Sequence, residues 1–203
     1  ASKNWVDTHF HVFNAGEAVV GARYVPPYQA ALDKWRSLSR DVGVMRGVCV
    51  QPSFLGCDNR LMLQALTLHP DTLRGVAVMA ADAPSDALQG LHDQGVRGIR
   101  LNLMGLSHDI PEWCQAASLW QTMHGLGWHV EVHTDVGALP QVLAQLPTDL
   151  PVVIDHMGKP LEAKVTDASV SALLRRAKCG PTYVKLSGAY RLGSVDANCL
   201  AKL

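Results

Sequence analysis

Short apolar runs and amphipathic stretches alternate along the whole chain. The runs are short and rich in β-branched residues, which is typical of buried strands, whereas the longer stretches repeat apolar residues at helical spacing. The predicted strands are Trp5–Thr8, Gly47–Gln51, Gly75–Met79, Gly98–Leu103, His129–Thr134, Val152–Asp155 and Tyr183–Ser187. The predicted helices are Asp58–His69, Ser85–Gln94, Trp113–Leu126, Ala138–Leu146 and Asp167–Lys178. This alternation indicates repeated βαβ units and a parallel sheet.

Residues that commonly end or begin helices stand between these segments. Gly43, Gly95 and Gly127 each precede a predicted strand, where a glycine suits the end of the previous helix. Asp58 and Asp167 occupy positions where a carboxylate side chain is expected to cap a helix N-terminus. The helix and strand boundaries are therefore supported by two independent kinds of signal.

The repeat predicts an α/β fold, a (β/α)8 TIM barrel, formed as one domain over residues 1–203. Seven βα units are visible, and the segment Leu192–Leu203 resembles the start of the helix after strand seven. A barrel closes when strand eight pairs with strand one, so we expect the eighth strand to lie beyond this chain. The sequence lacks a Gly-x-Gly-x-x-Gly after strand one, which argues against a dinucleotide-binding sheet.

The amino-acid composition argues against nucleic acid and membranes as binding partners. The chain is 48% apolar and 18% charged, and its 18 basic and 18 acidic residues cancel. This balance provides no electrostatic attraction to nucleic acid or to an anionic membrane. The five cysteines form no Cys-x-x-Cys pair and indicate reduced thiols. With no signal peptide or membrane span visible, we expect a cytoplasmic protein, and homo-oligomer formation stays open.

The sequence 5–13, Trp-Val-Asp-Thr-His-Phe-His-Val-Phe, contains the most informative pair of residues. His9 and His11 are two positions apart, so on a strand their side chains point to the same face. Two neutral imidazoles at this spacing can bind one divalent cation. An exposed strand with two solvated histidines is the alternative.

Further polar residues fall where other predicted strands end. In a (β/α)8 barrel the C-terminal strand ends carry the chemistry. Strand two is followed by Ser53, strand four carries Arg100, strand five reaches His133, and strand six is followed by His156. Each also has a structural explanation: His133 as a hydrogen-bonded core residue, Arg100 paired with a carboxylate, and His156 capping a loop. Four histidines at one end of a barrel nevertheless favour a shared centre.

With these residues in view, the chain resembles the amidohydrolase superfamily, and within it the branch of 2-pyrone-4,6-dicarboxylate lactonases. The resemblance extends over nearly the whole chain, and its most specific part is Asp-His-Met-Gly-Lys-Pro at 155–160. The other matching segments are Asp7–Phe13, Val50–Asn59, Gly95–Asn102 and Gly127–His133. The family fold is a distorted (β/α)8 barrel, in agreement with the strand count.

The resemblance implies roles for individual residues. His9 and His11 would lie at the metal or substrate centre, His156 would assist catalysis, and Arg100 and Ser53 would bind a small anionic lactone. Some lactonases of this branch act without a bound metal, and one lactonase of the branch has tyrosine at the strand-five position. A related decarboxylase branch has a metal-binding histidine there, so His133 favours a divalent metal, Zn²⁺ or Mn²⁺. The family's strand-eight aspartate has no counterpart in this chain.

These implications support a chemical hypothesis. A cation on His9, His11 and His133 would activate water and polarise a carbonyl, and a histidine such as His156 titrates near neutral pH. Arg100 can bind a carboxylate with two parallel hydrogen bonds. Arg191 is a further candidate for the same anion, with Lys185 as another, although either can be a solvated charge at the rim. We therefore expect a metal-dependent lactone hydrolase.

Two other functions remain open. The first is a metal-dependent decarboxylase of an aromatic or muconate-type acid that uses the same ligands. The second is a truncated and catalytically silent barrel fragment that binds a metal or a partner chain. The superfamily's deoxyribonucleases share the opening His-x-His, but the neutral charge and the later motifs argue against that activity.

Overall fold

The computed structural model describes residues 5–191, and its contacts divide the chain into two compact units, 1–100 and 101–203. In the first unit, four parallel strands pair in sequence order, β1 with β2, β2 with β3 and β3 with β4. The strands are β1 (Trp5–Phe10), β2 (Val44–Val50), β3 (Leu73–Ala77) and β4 (Val96–Asn102), the last of which continues to residue 102 in the second unit. The helices between them are α1 (Leu32–Asp41), α2 (Arg60–Leu68) and α3 (Ser85–Asp93).

The second unit repeats the same alternation. Strands β5 (His129–His133), β6 (Val152–Ile154) and β7 (Thr182–Val184) are parallel, and β6 pairs with both of the others. The helices are α4 (Pro111–Cys114), α5 (Ala117–Gly125), α6 (Leu139–Leu143) and α7 (Ala168–Arg176). Buried apolar side chains from both strands and helices form the core, as a βα layer requires.

The first unit shows how a small residue positions the end of β1. Trp35 of α1 stacks on Phe10 with ring centroids 3.9 Å apart, and a Cβ on Gly47 would lie 2.6 Å from the Trp35 ring. Only glycine therefore leaves room for this stack. The Trp35 indole N–H donates to Asp7 Oδ2 at 2.8 Å, while Asp7 Oδ1 accepts the His9 backbone N–H at 3.0 Å. Asp7 thus ties α1 to the strand that carries the first histidine.

Most sequence predictions of fold are confirmed. All seven predicted strands are present in residues 5–191, and the α/β alternation is that of the (β/α)8 class. The three glycines predicted at helix ends have positive φ values. Asp167 caps α7, since its Oδ1 accepts the Ser169 N–H at 2.7 Å. The single domain over 1–203 stays a prediction, and Leu192–Leu203 lies outside the described residues.

Several details of the prediction are wrong. Helix α1 was not predicted, because it is largely polar and the apolar spacing that indicates a helix is weak there. The predicted helix Trp113–Leu126 is two helices, α4 and α5, because the backbone leaves the helical region at Ala116. The N-cap position of α2 is Asn59, whose side chain makes no capping bond. Asp58 lies one residue earlier; its Oδ1 accepts the Arg60 backbone N–H at 3.3 Å, and its carboxylate forms an ion pair with the Arg60 side chain. None of the described helices has the length and apolar character that a bilayer crossing requires.

Candidate functional site

His9 and His11 come together in the first unit as the strand periodicity predicts. Their Nε2 atoms are 3.2 Å apart, and their rings meet edge to face. The Nδ1 atom of His11 lies 2.6 Å from the Val50 carbonyl oxygen, at the end of β2. Because a carbonyl only accepts hydrogen bonds, His11 Nδ1 carries the proton and its Nε2 presents a lone pair.

This geometry fits a divalent cation. Two nitrogen ligands of a tetrahedral Zn²⁺, each about 2.0–2.1 Å from the metal, lie about 3.3 Å apart. The 3.2 Å between the two Nε2 atoms matches that spacing. The Nδ1–H to carbonyl contact of His11 is the kind of outer hydrogen bond that orients a metal-binding imidazole. The donor set of His9 and His11 is therefore suited to a metal ion.

Arg100 and Ser53, the predicted substrate-binding residues of the first unit, differ in exposure. The Arg100 side chain is buried, and its Nη1 donates to the Gln51 carbonyl at 3.3 Å. This hydrogen-bond partner is a neutral backbone group. Ser53 is exposed at the start of the turn Ser53–Leu55. The Gln51 side chain supports this turn through bonds to the carbonyls of Gly56 and Asp58.

His133 and His156 form a second histidine pair, in the second unit. Their ring centroids are 4.9 Å apart, at an interplanar angle of 77°. Together with Asp155 they offer three potential metal-ligand atoms within 4.8 Å of one another. His133 ends the buried strand β5, as predicted, and His156 follows β6. The convergence of this pair with His9 and His11 on one metal stays a prediction.

His156 lies in a strained turn. Residues 156–159 all have positive φ, with values of 50° at His156, 57° at Met157, 72° at Gly158 and 43° at Lys159. A left-handed conformation costs roughly 1–2 kcal/mol for a residue other than glycine, so this turn stores roughly 3–6 kcal/mol. Such strain persists only where surrounding contacts over-determine it, and it concentrates at functional sites.

Two glycines make room for this 156–159 turn. A Cβ on Gly158 would lie 2.5 Å from Leu139 Cδ2, and a Cβ on Gly188 would lie 2.5 Å from His156 Nδ1. The neighbouring Ser187 Oγ is 3.1 Å from the same His156 Nδ1. The segment 187–188 thus approaches one edge of the imidazole and sets its orientation.

A buried ion cluster lies beside the turn. Lys185 Nζ is 2.6 Å from Glu131 Oε2 and 3.1 Å from Asp155 Oδ1, and both carboxylate side chains are only 1% exposed. Lys185 was a candidate for substrate binding, but its ammonium is already paired with these two carboxylates. Glu131 was not predicted as part of the site. The available signal was an acidic residue on the same face of β5 as His133.

The buried cysteine of the first unit, Cys49, does not add a nucleophile to the site. Cys49 lies in β2, and burial raises the pKa of its thiol to about 12. A thiol with such a pKa stays protonated and unreactive at neutral pH. Arg191 ends the turn Ala189–Arg191, and its side chain lies outside the described residues.

Comparison with known proteins supports the family and the fold. A sequence model described as amidohydrolase matches residues 6–201. The chain belongs to the amidohydrolase family. Its fold agrees with that of a solved relative from Acinetobacter baumannii, a probable 2-pyrone-4,6-dicarboxylic acid hydrolase with citric acid bound. That protein is 35% identical, and the match covers 98% of this chain and 77% of the other, with a TM-score of 0.85. The predicted family and fold class are confirmed.

Two further relatives of this amidohydrolase carry names for related reactions. A 2-pyrone-4,6-dicarboxylate hydrolase of Comamonas testosteroni is 35% identical over 83% of this chain and 56% of its own length. A 4-sulfomuconolactone hydrolase of Rhizobium radiobacter is 28% identical over 92% of this chain and 64% of its own length. The chain therefore spans less than two thirds of the length of these curated relatives.

Proposed function

We propose that this amidohydrolase chain belongs to a metal-dependent hydrolase that opens the ring of a small anionic lactone. The observation that carries the proposal is the His9–His11 pair, whose Nε2 atoms lie at the spacing of two ligands on one cation. The names of the relatives, which are hydrolases of a pyrone dicarboxylate and of a sulfomuconolactone, support the substrate class.

We assign the metal to His9 and His11, with His133 as a further ligand, and Zn²⁺ or Mn²⁺ as the ion. When bound, the ion supplies a lowered pKa for a coordinated water and polarisation of the lactone carbonyl. His11 contributes an oriented lone pair because the Val50 carbonyl holds its Nδ1 proton. The aspartate expected on an eighth strand stays a prediction.

We assign proton transfer to His156. Lactone hydrolysis requires one proton to leave the attacking water and one to reach the ring oxygen as the ester bond breaks. His156 Nδ1 faces Ser187 Oγ at 3.1 Å, so we assign these proton transfers to Nε2. The turn at 156–159 presents the imidazole in one fixed orientation, which lowers the reorganisation needed in the reaction.

Substrate recognition falls to Arg100, with Ser53 and Arg191 as further contacts. A buried guanidinium provides a strong, forked donor for a substrate carboxylate. The hydrogen bond from Arg100 to the Gln51 carbonyl restricts how the fork can rotate. An anionic group on the substrate would therefore be held in a defined direction.

The related decarboxylase activity is the second candidate, and one observation favours it. His133 is buried at the end of β5. The resemblance implies a metal ligand at this position in the decarboxylase branch and a tyrosine in one lactonase. Both activities use the same ligands, so the geometry of this site is compatible with either. A silent fragment that only binds a metal or a partner is the third candidate.

A substrate panel separates these candidates. The purified protein is loaded with Zn²⁺ or Mn²⁺ and assayed on pyrone and muconolactone acids for ring opening and on aromatic acids for CO₂ release. Ring opening supports the lactonase, and CO₂ release alone supports the decarboxylase. If neither reaction is detected, the silent fragment is supported.

Variants then test the assigned roles. His11→Gln should lose bound metal, whereas His156→Gln should keep the metal and lose at least about 100-fold in kcat. His124→Gln is the control, because His124 is exposed and paired only loosely with Asp149. Metal retained in His11→Gln would contradict the assigned ligand set.

A further inference from the structure

Lys185 makes more contacts with the region around His156 than a lysine at the rim of a pocket would. It follows β7, and its backbone N–H donates to the Ile154 carbonyl at 2.9 Å. Its own carbonyl accepts the N–H of Met157 and of Ser187, both at 3.0 Å. The backbone of Lys185 therefore connects the residue before Asp155, the middle of the 156–159 turn and the serine beside His156.

The Lys185 side chain holds the same region from another direction. Its ammonium lies between Asp155, which immediately precedes His156, and Glu131, which is two residues before His133. Its side chain is 14% exposed, whereas Lys164, which pairs with Glu162 on the surface, is 65% exposed. Buried ions are stable only when paired, so the three charges keep one another in place.

The contacts of Lys185 stabilise the strained backbone of the 156–159 turn. The left-handed residues 156–159 need external contacts that make the strained backbone the best available conformation. Lys185 supplies contacts on both sides of His156: an ion pair to the residue before it and a hydrogen bond to the N–H of the residue after it. The Lys185 ammonium also restrains β5, because it pairs with Glu131 on that strand, two residues before His133 at its end.

We infer that Lys185 is a positioning residue for His156, acting through Asp155 and Met157 and not through contact with substrate. The inference rests on the proposed function in that it takes His156 as the proton-transfer group. The cluster of Glu131, Asp155 and Lys185 is then a fixed support whose net charge is −1, made of two carboxylates and one ammonium.

Three variants at this cluster and one control test the inference. Lys185→Met removes the ammonium and leaves two buried carboxylates without it. Lys185→Met combined with Glu131→Gln removes the ammonium but keeps the cluster charge at −1, which protects folding. Lys185→Arg keeps the positive charge. Lys164→Met removes a surface lysine and serves as the control.

Kinetics provide the first measurement. Because a positioning residue acts on the chemical step, we expect Lys185→Met and the double variant to lose at least about tenfold in kcat, with KM changed less than about threefold. Lys185→Arg should recover part of the loss, and Lys164→Met should match the unmodified protein. A large rise in KM at unchanged kcat would instead indicate that Lys185 binds the substrate, and would overturn the inference.

Nitrogen NMR of labelled histidines provides a second measurement that does not depend on turnover. In the unmodified protein the His156 ring is oriented by Ser187, and we expect its ring nitrogens to shift in Lys185→Met and in the double variant. His124, exposed on α5, should not shift. If His156 signals coincide in all variants, Lys185 does not position it. If the signals shift but no variant or parent hydrolyses a lactone, the positioning holds and the proposed function fails.

Discussion

The two histidine pairs of this protein are built in different ways. His9 and His11 lie at the end of a strand, and their Nε2 atoms are 3.2 Å apart because residues two apart share a face. His133 and His156 come from different elements of the second unit, and one of them lies in a left-handed turn beside a buried ion cluster. The first pair follows from local geometry, and the second depends on tertiary contacts.

Because the two histidine pairs are held differently, different kinds of substitution are expected to disturb them. The first pair depends mainly on β1 and β2, whose parallel pairing shifts register between Asp7, opposite Gly47, and Phe10, opposite Cys49. A strained turn is maintained by close contacts at particular atoms, and one added methyl group can displace it. We therefore expect small volume changes to affect activity in the second unit and stability in the first.

The largest effect is expected for Gly188→Ala. The new Cβ would lie 2.5 Å from His156 Nδ1, closer than real Cβ contacts, so the imidazole must move. A displacement of about 1 Å at a reacting group costs about 100-fold in rate, and we expect at least that loss in kcat. Steady-state kinetics on a lactone identified as a substrate, together with a thermal melt, provide the measurement.

Gly127→Ala is the matched control for this variant. Gly127 has φ 67°, close to the 65° of Gly188, but no atom lies within 4 Å of its added Cβ. Both variants carry the left-handed backbone cost of roughly 1–2 kcal/mol, and only Gly188→Ala adds the contact with His156. Equal activity in the two variants would show that His156 does not depend on Gly188.

The next effect concerns substrate binding in the first unit. Arg100→Met should raise KM for an anionic lactone by about 10–150-fold, since a charge-assisted contact contributes roughly 1.5–3 kcal/mol. Arg100→Lys should keep part of the binding. Arg97→Met is the control, because Arg97 lies three residues before Arg100 on β4 and donates to the backbone carbonyls of His92 and Val96. An unchanged KM with a lowered melting temperature would assign Arg100 a structural role.

Gly47→Ala tests stability in the first unit. Its Cβ would lie 2.6 Å from Trp35 and 2.8 Å from Phe10, and such overpacking costs about 1–3 kcal/mol of unfolding free energy. Gly90→Ala in α3 is the control, since its Cβ meets no atom within 4 Å and alanine favours a helix by about 0.5–1 kcal/mol. The midpoint of urea unfolding should therefore fall for Gly47→Ala and rise for Gly90→Ala. A Gly47→Ala protein as stable as its parent would show that the Trp35 stack is adaptable.

The smallest effect is expected at the cap of α7 in the second unit. Asp167→Ala removes the acceptor of the Ser169 N–H and should lower the unfolding free energy by about 1–2 kcal/mol without changing kcat. Asp167→Ser keeps a capping oxygen and should restore most of the stability. A change in kcat for Asp167→Ala would show that α7 is coupled to the 156–159 turn.

The sequence by itself determined the alternation of strands and helices, the caps at Gly43 and Asp167, and the His9–His11 pair. These features depend on interactions between residues close in the chain, whose periodicity is visible in the amino-acid order. The sequence also placed His133 and His156 at strand ends, because parallel βα units repeat the same geometry.

Tertiary structure alone decided how the second pair is held. Nothing in Asp-His-Met-Gly-Lys indicates four successive residues at positive φ, because only Gly158 favours that region on its own. The contact of Gly188 with His156, and the position of Lys185 between Glu131 and Asp155, join residues 30–54 positions apart in the chain. Strain and buried ion pairs arise from the contacts of packed elements, so they are decided only when those elements meet.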